Sequence, residues 1–127
     1  MSKVLSIAIL LTLGSIPVFA QFQTGTSIYT YAGVFNRVMQ GHPNSKDDYV
    51  DAGVFTGYVE AASDIGIASG KLDFPPTTTI GQVCTVVYQY MTAHPKEWNG
   101  VALNVVLNAL KEAYPPTADS SPGAKKQ

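Results

Sequence analysis

TTTIGQVCTVVYQYMTAHP, from Thr77 to Pro95, holds the only cysteine of the chain and decides between a helical and a strand reading. Ile80, Val83, Cys84, Val87 and Met91 recur at intervals of three and four, opposite Gln82, Thr85 and Gln89. That pattern is the stripe of an amphipathic helix. Thr79 and Gln82 have the S/T-x-x-E/Q spacing of a capping box ahead of it, and His94-Pro95 ends it. Val86 and Val87 would also suit a strand. A capped run of about fifteen residues with a 3.6 repeat is nevertheless long for a strand, whose usual length is about five or six. The segment reads as a helix.

Three further segments repeat the pattern. The first covers about Gly25 to Gln40, with Thr24 as its cap and Ile28, Tyr31, Ala32, Phe35 and Met39 on one side. The second covers about Asp47 to Ser69. Ser45 and Asp48 have capping-box spacing there, and Asp47 and Asp48 suit the positive end of a helix. Its expected inner face is Val50, Val54, Gly57, Ala61 and Ile65, with Gly53 beside it, because small residues let a neighbouring helix come close. The last covers about Gly100 to Tyr114, where Leu103, Val106, Leu107, Leu110 and Tyr114 step by three and four before Pro115-Pro116. The expectation is a small all-α domain of about four main helices with short connections.

The ends read differently. MSK, the apolar run VLSIAILLTLGSIPV and the sequence VFA before Gln21 form a signal peptide, residues 1–20, cut after Ala20. The run is shorter than a membrane span and carries Gly14 and Pro17. Residues 21–116 then make one helical domain, and 117–127, TADSSPGAKKQ, a disordered tail. Loss of Lys3 with the leader leaves seven basic against nine acidic side chains. The basic residues are scattered, which argues against nucleic acid and against an anionic membrane surface. An exported protein after cleavage, without a second apolar segment, is expected to be soluble.

Catalytic and metal chemistry find little support. Cys84 lies between apolar neighbours and reads as a core residue, cysteine being among the most buried types. As a nucleophile it would need a base, and His94, ten residues along the same helix, is roughly 15 Å away. Only His42 could reach it by folding. Neither histidine has a second ligand at the short spacing that binds zinc, so no metal or other cofactor is expected. Asp64 borders the expected inner face of the second helix and would need a partner there. Arg37, Lys71 and the capped start of the third helix are the choices.

GKLDFPPTT, Gly70 to Thr78, connects two helices and places Leu72 and Phe74 beside Lys71 and Asp73, stiffened by Pro75-Pro76. Phe74 is either a core anchor or an apolar contact for a protein partner, on a loop with little ordering entropy left to lose. Lys71, Leu72, Asp73, Phe74, Pro75 and Thr77 are therefore the candidate partner-binding residues.

FQTGTSIY, GYVEAASD, FPPTTTIGQVCTVVYQYMTAHP and ALKEAYPP, in this order and spacing, resemble the small helical immunity proteins of type VI secretion, the amidase-immunity and resistance-associated protein family. The resemblance covers about residues 22–116. It implies a periplasmic, non-enzymatic helical protein, often a homodimer, that blocks a cell-wall amidase toxin. Family members carry paired cysteines where this chain has Asp73 and Pro116, Ala32 or Gly33, and Phe55 or Thr56. Each missing disulfide would contribute roughly 2–4 kcal/mol, so helix packing or dimerisation has to supply that stability. The rival reading is a periplasmic stress chaperone or small structural protein that exposes apolar surface conditionally. A cell-wall hydrolase using Cys84 is the enzymatic alternative.

Overall fold

The computed structural model describes residues 23–118. The expected signal peptide, residues 1–20, and all but the first two residues of the expected tail, 117–127, lie outside the described residues. Within them the chain forms helices α1 (Gly25–Met39), α2 (Asp47–Ala68), α3 (Ile80–Ala93) and α4 (Ala102–Ala113), with a short 3-10 turn, Pro95–Asn99, between α3 and α4.

Local chemistry sets the limits of these helices. At α1 the Thr24 hydroxyl accepts from the Ser27 amide at 3.2 Å, and the Ser27 hydroxyl accepts from the Thr24 amide at 3.0 Å. At α3 the Thr79 hydroxyl accepts from the Gln82 amide, while Gln82 Oε1 accepts from the Thr79 amide at 2.9 Å. Each box satisfies amides that a helix start leaves without partners. The start of α2 differs from the expected capping box. Lys46 occupies the cap without a side-chain bond. The Asp48 carboxylate instead accepts from the Asn44 amide at 2.8 Å and from Arg37 at 3.1 Å. The acid is engaged by α1 and the α1–α2 connection, so Ser45 has no reciprocal side chain to close a box.

Both long helices end in the same way. Gly41 and Gly70 have φ of 76° and 66°. The following amides, His42 and Lys71, donate back to Arg37 O and Gly66 O. This left-handed Schellman stop suits glycine, which has no Cβ to clash. At the second stop Leu72 folds over Gly66, and a Cβ at position 66 would run into the Leu72 side chain.

The core is one cluster fed by all four helices. Ile28, Ala32 and Phe35 of α1, Ala52, Phe55, Val59 and Ala62 of α2, Val83, Cys84, Val87 and Met91 of α3, and Ala102, Val105, Val106, Ala109 and Leu110 of α4 are buried in it. Phe35 and Phe55 meet at 5.4 Å between ring centroids. The expected inner face of α2 is thereby corrected. Val50 is 66% exposed and Ile65 49%, and Val54, Gly57 and Ala61 are exposed as well. The helix is apolar on two opposite faces, so periodicity alone does not choose between them. Packing favours the face that carries Phe55, the one phenylalanine of the helix, whose ring meets Phe35 in the core, over a face of valine, isoleucine and small residues. Met39, placed on the α1 stripe by spacing, is also exposed.

The turn Pro95–Asn99 binds the molecule together. Trp98 stacks on Tyr29 with centroids 3.8 Å apart, and its indole N–H donates to Met91 O at 2.8 Å. Glu97 accepts from the Tyr90 hydroxyl and from the Asn108 amide group. Beside it the Gly25 amide donates to Gly100 O and the Ala102 amide to Gln23 O, both at 2.9 Å. This clasp joins the start of α1 to the start of α4.

Candidate functional site

The connection from α2 to α3 combines rigidity with exposed surface. Its first half is anchored: Leu72 is 3% exposed and belongs to the core, so it is a support of the loop rather than a contact for a partner. The Asp73 amide donates to Tyr114 O at 3.2 Å, and its carboxylate accepts from the Thr117 hydroxyl. Phe74 is half-buried, with its ring 4.5 Å from that of Tyr114 at the end of α4. Phe74 thus packs against the domain on one side and keeps part of its ring at the surface. Lys71, Pro75 and Thr77 are exposed, and the Thr78 amide closes the turn onto Pro75 O at 2.9 Å.

Phe74 also forms a wall of a groove of about 320 Å³ between the C-terminal half of α2 and the start of α3. Ile67, Ile80 and Val83 supply more of its apolar lining, and Glu60 and Asp64 its carboxylates. Asp64 stands exposed on this rim, not against the core with a basic partner. Arg37, one of its expected partners, forms its ion pair with Asp48, the ion pair found among the described residues. Next to the groove runs the exposed α2 stripe of Val50, Val54, Gly57, Ala61 and Ile65. The sequence pattern revealed the stripe but assigned it to the interior.

Cys84 is fully buried, and that burial pushes its thiol up to about 11, with Glu60 adding to the shift and a hydrogen bond to Thr56 opposing it. A thiol so placed is protonated at neutral pH and is a poor nucleophile. Neither histidine is bonded to it: His42 is exposed in the first glycine stop, and His94 Nδ1 lies 2.8 Å from Tyr90 O. Among the described residues no histidine, cysteine and carboxylate group has a metal-holding arrangement, and no helix is long and apolar enough to cross a membrane.

The described residues thus present a braced loop, an acidic groove and an apolar helix face. Compared with known proteins, residues 25–116 match a family model described as Rap1a immunity proteins. No curated protein and no solved structure matches.

Proposed function

Because the chain belongs to the Rap1a immunity protein family, we infer that it is exported, cut after Ala20, and held in the periplasm as a non-enzymatic inhibitor of a type VI secretion effector. The effector class is a peptidoglycan amidase, and inhibition works by occlusion of its cleft. The observation that carries this reading, beside the family match over residues 25–116, is the construction of the α2–α3 loop. Leu72 fixes it from below, Tyr114 and the Asp73 amide hold it from the side, and Phe74, Pro75 and Thr77 remain available at its surface. A loop already ordered loses little conformational freedom when it enters a cleft.

A second copy of the chain meets the first along the exposed α2 stripe. Large side chains, Val50 and Val54 at one end and Ile65 at the other, flank small ones at Gly57 and Ala61. Nothing lies within 4 Å of where a Cβ would stand on Gly53 or Gly57. Two antiparallel copies crossing near Gly57 place small residues where the backbones approach, as a two-fold interface requires.

The test is capture by the tagged mature chain from lysates that each express one type VI amidase effector, read by mass spectrometry and by cell-wall cleavage. Stoichiometric capture of one amidase with loss of its activity is expected. Phe74→Ala should weaken that complex by at least about tenfold while the helical circular dichroism persists. Capture of many unrelated proteins favours the chaperone reading, and intact affinity of Phe74→Ala removes the loop from the interface.

A further inference from the structure

We propose that the groove between α2 and α3 receives an arginine side chain of the protein partner. Its identity as a partner residue rests on the immunity reading, while the chemistry of the groove stands on its own. Ile67, Phe74, Ile80 and Val83 offer apolar surface to an aliphatic stem, and Glu60 and Asp64 stand at the rim. Four residues apart on one helix, these carboxylates project from the same face with Cβ atoms about 5–6 Å apart, a separation that one planar guanidinium can bridge with its fork of donors. The face of Phe74 suits the flat cation better than a compact ammonium.

Charge in the surroundings points the same way. Between Asp47 and Ala68 helix α2 has no lysine or arginine. Among the described residues neither Glu60 nor Asp64 has a basic side chain within ion-pair distance, and Lys71, the nearest in sequence, pairs with neither. The positive end of α3 also borders the groove; its capping box engages the Thr79 and Gln82 amides and leaves those of Ile80 and Gly81 outside it, so the attraction for a cation comes from the α2 side. On its α2 side the groove therefore combines apolar walls with two carboxylates that lack a basic partner, and there a cation is favoured over an anion. A second copy of the chain docking its own α2 here would bring carboxylates against carboxylates.

The experiment titrates the mature chain with n-butylguanidinium, and separately with neutral N-butylurea, while backbone amides are followed by heteronuclear NMR. The guanidinium should shift residues 60–67 and 78–83, with affinity at least about tenfold above that of the urea, and the Glu60→Gln/Asp64→Asn double variant should lose this preference. Both side chains are exposed, so the variant keeps its amide dispersion. Equal response to the two probes overturns the proposal, as do shifts spread over Asp47, Asp51 and Glu112, or none in the groove. These results are independent of effector capture. An amidase held equally well by wild type and double variant would likewise overturn the groove proposal and leave the immunity reading standing.

Discussion

Asp48 shows how a single side chain can tie local geometry to acid stability. The Asn44 amide holds its carboxyl below the usual range, burial works against this, and Arg37 adds a hydrogen bond and charge in the same direction as the amide. With the folded-state pKa below the unfolded one, the unfolded chain binds the proton first as pH falls. The stabilisation is complete above the ordinary carboxylate value of about 4 and is lost as the pH drops through the folded-state value. Urea midpoints measured across this range should fall toward acid for the wild type. Asp48→Asn should begin lower at neutral pH and show a flatter profile; parallel curves would remove the carboxylate from this role. The sequence disclosed an acid suited to a helix start, but not its partners, because Asn44 contributes a backbone amide and Arg37 comes from another helix. For Cys84 the apolar neighbours at helical spacing were enough, since burial of a small side chain on one stripe needs no long-range information.

At the scale of elements, helix positions were legible and helix orientation was not. Caps, prolines and glycine stops brought the expected limits close to those of Gly25–Met39 and Asp47–Ala68. The same signals say nothing about which of two apolar faces turns inward on α2, a choice made by Phe55 meeting Phe35. The Pro95–Asn99 turn also escaped, because five residues have too few repeats to show a period. Leu72 and Phe74 looked equivalent in the sequence. Their fates separate because Leu72 follows the Gly70 stop and is directed onto Gly66, whereas Phe74 lies beyond the bend. Leu72→Ala should accordingly destabilise the domain by about 2–5 kcal/mol in urea unfolding and loosen the loop, weakening any complex that uses Phe74. Unchanged stability would mean that the core closes over the site without it.

For the whole molecule, a chain with one cysteine has four helices to hold together through one shared core and through Trp98. The proposed two-fold contact on α2 adds to this, and sedimentation equilibrium of the mature chain should give the mass of a dimer. Gly57→Glu places a charge at the crossing without disturbing the core, since Gly57 is exposed with open space around it. It should yield a helical monomer; a dimer that survives it, or a wild-type monomer at high concentration, would assign the stripe to another use. Capping and amphipathicity made the architecture visible from the sequence, but which stripe of α2 stays exposed could not be seen there, because exposed and buried apolar stripes share one periodicity.

If the chain is exported as proposed, the clasp of Gln23 and Gly25 with Gly100 and Ala102 has a consequence for the order of events. A chain threaded through a membrane pore from its N-terminus delivers one half of this clasp at the outset and must wait for the other until most of its length has crossed. The same delay applies to the Tyr29 ring, whose neighbour Trp98 arrives nearly as late. Contacts between such distant parts of a chain form slowly and cannot reward early compaction. On the export proposed above, the polypeptide would stay pliable in transit and lock only once residues 98–102 had followed residues 23–29 across.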